Sequence, residues 1–303
     1  MEKAIAWESV EPKIQEVLDE LVNKKKADWP FVFMAGGGGG LLLSCFIACF
    51  IGYSTIFLVI ALFIGMLVAY FYKESKRNEM YKQKVMPRLL ELVCPGATYN
   101  PKGDMPYRVI SSSKLLRTGL DYHNEDTIRG KVGNTDFVYG EAKFSHMEGT
   151  GKNRHEVIDF KGFVFEADFN KDFNGITVLS SQGFKLWSNV VFSKFSRCHL
   201  EDARFENKYR TYATDDQQAR YILTPALQER IMNMNHTFSK ELGDSDLSMS
   251  FHDSRMLIMV PSHTNRFEVK YTAAGVKKDY LALTLMIDIV DMLNLNLRIW
   301  SKE

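Results

Sequence analysis

The sequence predicts an α+β protein, with an N-terminal two-helix transmembrane hairpin and flanking cytosolic helices, then a cytosolic domain of antiparallel strands and helices. Three observations predict it. The run from Trp29 to Tyr72 carries no charged residue and is bracketed by Lys24, Lys25, Lys26 on one side and Lys73, Lys76, Arg77 on the other. From Thr127 the apolar period changes from helical toward two, in Phe- and Tyr-rich segments separated by Gly, Asn and Asp. Strands and helices then segregate along the chain and do not alternate as βαβ units, which is the α+β pattern.

The first expected element, within residues 1–28, is an amphipathic cytosolic helix in which Val10, Ile14, Val17, Leu18 and Leu21 recur at helical spacing. Residues 29–72 follow as the transmembrane hairpin. A single span needs about 20 apolar residues and this run is about twice that, with a reversal at Gly52, Tyr53, Ser54 and Thr55. The helices are expected at about Phe31 to Ile51 and Ile56 to Tyr72. Basic residues flank both outer ends and the connecting turn has none, so both termini are expected to be cytoplasmic. Residues 73–96 continue as a juxtamembrane stalk helix whose Met80, Tyr81, Val85, Leu89 and Leu90 would meet the first helix, with Pro87 kinking or restarting it before the Cys94, Pro95, Gly96 stop.

The five glycines Gly36 to Gly40 remove side chains over more than one turn of an apolar span. Gly36 and Gly40 have the spacing that lets helices approach closely, so they are expected in helix packing, within the chain or between copies, with local unwinding for a functional reason as the third reading. Cys45 and Cys49 share a helix face at i, i+4 and are read as small packing residues. The apolar run starts too late and runs too long for a cleaved leader, so the hairpin is expected to stay in the mature protein.

In the cytosolic domain, residues 97–303, strands are expected at Thr127 to Val132, Asp136 to His146, Glu156 to Phe169 and Gly175 to Ser180. Thr214 with Gln217 reads as a capping box opening a short helix, and Thr224 with Pro225 as the start of a helix over roughly Pro225 to Asn235. Leu247 to Phe251 and Met256 to Val260 form a hairpin about His252 to Ser254. A helix from about Val276 to Leu293 and a strand through Leu295, Leu297 and Ile299 close the chain.

In the 303 residues, 38 Lys and Arg face 37 Asp and Glu, so no net field draws the protein to nucleic acid and none is expected as a partner. The basic residues beside the hairpin are topology determinants that can also meet anionic headgroups. Cys94 and Cys198 lack any ligand spacing and are expected reduced, and no metal or cofactor is expected. Gly149, Thr150, Gly151, Lys152 resembles a phosphate loop only in part. His146 and Asn153 stand where a glycine and a Ser or Thr are required, so a hairpin loop is expected. The seven histidines show no ligand spacing and, most of them falling beside expected turns, read as surface residues. Glu201, Asp202 and Glu206 form one acidic cluster and Asp215 with Asp216 another. The second sits at a helix start where the dipole favours it, and Arg220 is placed to pair back to Asp216.

The stretch Leu200 to Ile231, together with Phe160 to Asn170 and its Gly162, resembles the bacterial membrane-anchored domain-of-unknown-function family DUF3137. The shared elements are Phe205, Glu206 and Tyr209, and Ala219 through Arg220, Tyr221, Ile222, Leu223, Thr224 and Pro225. The first element departs slightly at Asn207 and Lys208. The resemblance runs over nearly the whole chain and implies two spans near the N-terminus and a bacterial origin. It implies no activity and lends no catalytic residue.

The expected function is that of a protein anchored in the bacterial cytoplasmic (inner) membrane, with the lipid bilayer as one partner and a cytosolic domain that binds a protein or small ligand. The alternatives are a membrane-tethered enzyme, which would gather Glu201, Glu206, Arg220, His199 or Cys198 in a deep pocket, and an oligomeric scaffold that self-associates through the glycine run. The family-like stretch is expected to be mainly structural, with Phe205, Tyr209, Tyr221 and Leu223 in the core.

Overall fold

The computed structural model describes residues 7–51, 55–117, 119–169, 173–181, 194–243, 246–293 and 295, with side chains described except at 35–37, 39–51, 55–59, 62 and 242. These residues form seven α-helices and nine strands, an α+β architecture as expected. They fall into two compact units, one of Met1–Leu89 with Phe267–Asp279, the other of Leu90–Arg266 with Tyr280–Glu303.

The first unit is built on α1 (Trp7–Ile51) and α2 (Thr55–Val93). The stripe Val10, Ile14, Val17, Leu18 and Leu21 is buried, as are Met80, Tyr81, Val85 and Leu89. Cross-helix contacts run antiparallel. Lys84 Nζ reaches Glu20 at 2.7 Å, and further along Asp28 takes Lys73 at 3.0 Å and Arg77 at 2.8 Å. Pro87 does not restart the helix. It lies inside a continuous α2, where buried Met86, Leu89 and Leu90 on both sides hold the turn that lacks its N–H. The segment from Phe267 closes on α2. Tyr271 donates to Glu74 at 2.9 Å and receives from Arg77 at 2.8 Å, while Tyr81 donates to Asp279 at 2.6 Å. Buried Arg77 thus meets two carboxylates and a phenol, the pairing a buried cation requires.

No helix among the described residues is long and apolar enough to cross a membrane, so the expected transmembrane hairpin over 29–72 is not borne out by them. The described ends of that run turn large apolar groups outward, among them Trp29, Phe33 and Met34 on α1 and Phe63, Val68 and Phe71 on α2. The packing expected of Gly36, Gly40, Cys45 and Cys49, the reversal at Gly52 to Ser54, and the final strand through Leu297 and Ile299 lie outside the described residues or side chains.

The second unit is a wholly antiparallel sheet in the order β1-β2-β3-β4-β9-β8-β5-β7-β6. Its strands are β1 (Thr98–Asn100), β2 (Asp121–Val132), β3 (Thr135–Glu148), β4 (His155–Asp168), β5 (Ile176–Ser181), β6 (Ser196–Cys198), β7 (Tyr209–Ala213), β8 (Ser248–His252) and β9 (Arg255–Pro261). Aromatic residues spaced along β3 and β4 fill its core. Phe137 stacks on Phe165 at 5.6 Å between centroids and Tyr139 lies at 5.6 Å from Phe163. The phosphate-loop look-alike is the β3–β4 connection, closed by a short 3₁₀ turn at Gly151–Asn153. Asp253 and Ser254, both with positive φ, make the tight turn of the β8–β9 hairpin.

The helices of this unit are α3 (Tyr107–Ser112), α4 (Ala203–Lys208), α5 (Asp216–Ile222) and α6 (Pro225–Leu242), and α7 (Ala273–Met292) enters it from the first unit. Helix α6 runs past the expected Asn235 because Met234 and Phe238 continue its buried face, and it ends on Gly243 in the left-handed region. The short helix α5 is capped by Asp215, whose carboxylate accepts from Gln217 N at 2.9 Å and Gln218 N at 3.1 Å. Thr214, the expected cap, instead accepts from Ile176 N at 2.9 Å. Two further expectations are corrected. Tyr221 is 45% exposed, because the buried positions of α5 are Ala219 and Ile222 and place Tyr221 on the outer face. His252 is only 2% exposed, sharing the buried face of β8 with Ser248 and Ser250.

Candidate functional site

The family-like residues converge where β6, α4, β7, α5 and the start of α6 meet. Asp202 begins α4 by accepting from Arg204 N at 2.8 Å and Phe205 N at 3.3 Å, so one member of the acidic cluster is a helix cap. One turn on, Glu206 accepts from Arg197 Nη2 at 2.7 Å and from Leu200 N at 3.2 Å, with His199 Nδ1 at 3.4 Å. Phe205 and Tyr209 point into the core, ring centroids 5.0 Å apart, and Leu223 is buried with them. The expected Asp216–Arg220 pair forms at 2.9 Å, and Arg220 Nη2 also donates to His199 O at 2.7 Å, tying α5 to the segment after β6.

Five groups anticipated for an enzymatic centre therefore do gather: Cys198, His199, Glu201, Glu206 and Arg220. Their chemistry is not that of a nucleophilic centre. Cys198 is fully buried, and burial reinforced by its hydrogen bond to the Asp216 carboxylate pushes its thiol up to about 12, so it stays protonated near neutrality. Glu206 is committed to Arg197 and a backbone N–H. Arg220 is committed to Asp216 and a carbonyl.

Beside this network lies an open groove of about 690 Å³, lined by Leu200, Asp202, Arg204, Arg220, Leu223 and Gln228. Thr224 opens α6 by accepting from Leu227 N, with Pro225 at the first helical position, as the Thr-Pro pair predicts. One turn later Gln228 donates through Nε2 to Leu223 O at 2.7 Å. That bond fixes the amide, and its Oε1 is buried with no hydrogen-bond partner among the described residues. A buried amide oxygen left so costs about 1–3 kcal/mol unless water or a ligand donor reaches it. Sequence reasoning missed Gln228. The only signal was an amide at the fourth position of a helix opened by Thr-Pro. Gly162, in the other family-like stretch, lies on β4 away from the groove. A Cβ there would collide with Val260 O, Ser262 N and Pro261 Cα of the neighbouring chain segment.

No curated protein matches the chain. A crystal structure of the mycobacterial trehalose monomycolate transport factor A, TtfA, is similar at 15% identity over 73% of this chain and 96% of that one, with a TM-score of 0.35. At that score the likeness carries no argument. Residues 158–295, which run from within β4 past the end of α7 and hold the whole groove, match the model of a family described as a protein of unknown function, DUF3137.

Proposed function

We propose that the protein is a membrane-anchored binding module of the bacterial cytoplasmic membrane, with both termini cytoplasmic. Its sheet-bearing unit takes a protein or small ligand in the groove between α4, α5 and α6. The observation that carries the anchoring is the outward apolar surface of α1 and α2. Trp29, Phe31, Phe33 and Met34 on one helix, and Phe63, Ile64, Val68 and Phe71 on the other, are exposed, and this surface stops at the ion pairs of Asp28 with Lys73 and Arg77. Water is a poor solvent for so many contiguous large apolar groups, whereas hydrocarbon is a good one. The uncharged run from Trp29 to Tyr72 and its flanking lysines support the same reading. Gly36 and Gly40 then supply a close helix contact, within the hairpin or between copies. The bound partner is a hydrogen-bond donor toward Gln228.

Two measurements test this. Full-length protein expressed in a bacterium should stay with the membrane pellet through an alkaline carbonate wash, and a reporter active only outside the cytoplasm should be silent when fused after Glu303. Release by carbonate, or a strong reporter signal, would sink the anchoring. For the groove, a photocrosslinker at position 204 should give one reproducible adduct in membranes that Gln228→Leu removes. Scattered or absent adducts would reject binding there.

A further inference from the structure

A second groove of the sheet-bearing unit, of about 670 Å³, is lined among others by Arg108, Ser112, Arg129, His252 and Arg255. It shares no lining residue with the first groove and is independent of the binding reading above. Ser112, at the last position of α3, and His252, at the last position of β8, are 140 residues apart in sequence, yet Ser112 Oγ stands 2.9 Å from His252 Nε2. The other ring nitrogen, Nδ1, lies 3.3 Å from Ser250 Oγ, two residues back on the same buried face of β8. The imidazole is therefore fixed from both sides, and both members of the Ser112–His252 pair border open space. Burial holds the histidine below its ordinary pKa, with Asp253 opposing and Arg255 and Lys114 assisting, so it is neutral near pH 7.

We infer that Ser112 and His252 form a nucleophile–base pair for cleavage of a small carboxylic ester that carries an anionic group. A neutral imidazole in hydrogen-bond reach of a hydroxyl is the arrangement that activates serine, and here a second hydroxyl, that of Ser250, orients the ring. The anionic group is read by Arg108, which finds no ion-pair partner among the described residues, whereas Arg129 is engaged by Asp104 at 3.0 Å and Arg255 by Glu166 at 2.9 Å. In the first step the Ser112 Oγ–carbonyl carbon bond forms while His252 Nε2 takes the hydroxyl proton. The ester C–O bond then breaks, and the leaving alkoxide departs as an alcohol with that proton. Water attacks the acyl-serine, giving its proton to His252 and then to Ser112, and releases the carboxylic acid.

The competing arrangement is purely structural. Ser112 Oγ also lies 3.0 Å from Val109 O, so its proton can serve that carbonyl while His252 donates to Ser112. A fluorophosphonate probe on the full-length protein separates the two, because it phosphonylates only an activated serine. The expected result is a single adduct at Ser112, absent in Ser112→Ala, and formed about 100-fold or more slowly in His252→Gln. Arg108→Gln should weaken the protection that small carboxylates give Ser112 against the probe, and protection equal to that of the wild-type protein would remove Arg108 from the assignment. If His252→Gln fails to fold, Ser250→Ala, which frees the ring without removing it, should still slow labelling. No adduct at Ser112 in the wild-type protein, or equal labelling in the folded histidine and Ser250 variants, would overturn the assignment.

Discussion

Arg197 on β6 and Glu206 on α4 meet at 2.7 Å, and the same carboxylate accepts the Leu200 N–H at 3.2 Å. One side chain thus ties the sheet edge, the connection after it and a helix of barely two turns. Glu206→Gln keeps the shape but removes the charge that strengthens both bonds. It should lower unfolding stability by about 1 kcal/mol, since the pair is only partly shielded from water. Arg220→Lys should cost less, because the Asp216–Arg220 pair is nearly half exposed on both sides. Denaturant midpoints of the two variants check this, and equal losses above that size would show that the corner is a cooperative unit.

Phe205→Ala should be the most damaging change in the motif. The ring is fully buried against Tyr209, and deleting it leaves a cavity worth about 3–5 kcal/mol. Tyr221→Ala removes an exposed ring and should stay within about 0.5 kcal/mol. If the two variants unfold at the same denaturant concentration, the facing of α5 described above is wrong.

The contrast between these two aromatic residues shows what was legible. A motif names residue types, but the face each one takes depends on which stripe of a two-turn helix reaches the core. Strand positions with period-two aromatics were readable, so β3, β4 and the β8–β9 hairpin fell within a residue or two of expectation. The cap of α5 was not. Thr214 and Asp215 are both good caps, and the choice was settled by Ile176 on β5, which claims the threonine. The short helices α3 and α4 have too few residues to show any period, yet α4 lines the first groove and α3 the second, so neither groove could be drawn from the sequence. His252 read as a surface residue because a turn follows it. The period-two series Ser248, Ser250, His252 was the overlooked sign of a buried polar face.

Gly162 should not tolerate a side chain. It sits on β4 opposite Pro261, and a Cβ would enter the space of Val260 O and Ser262 N, both backbone atoms that cannot rotate away. Gly162→Ala should separate β4 from β9 locally and cost about 1–3 kcal/mol. Gly96→Ala is the control. Its Cβ would meet nothing, so its only cost is the positive φ. A larger loss for Gly96 than for Gly162 would contradict the strand pairing.

His252 also sets a pH dependence. Its unfolded pKa is the ordinary 6.5 and its folded value is lower, chiefly through burial, with Arg255 and Lys114 acting in the same direction and Asp253 against. Above 6.5 neither state carries the proton, so the group is neutral in the balance. Below 6.5 the unfolded chain takes up a proton that the folded protein refuses, and stability falls toward the folded pKa by at most about 1.4 kcal/mol per pH unit. Unfolding midpoints measured between pH 7 and pH 5 should therefore decline in the wild-type protein. The same series for His252→Gln, which keeps an amide able to meet Ser112 and Ser250, should be flatter by that one proton. Parallel slopes in the two proteins would mean that the imidazole is accessible to protons in the folded state, and that the buried face of β8 opens far more readily than its packing implies.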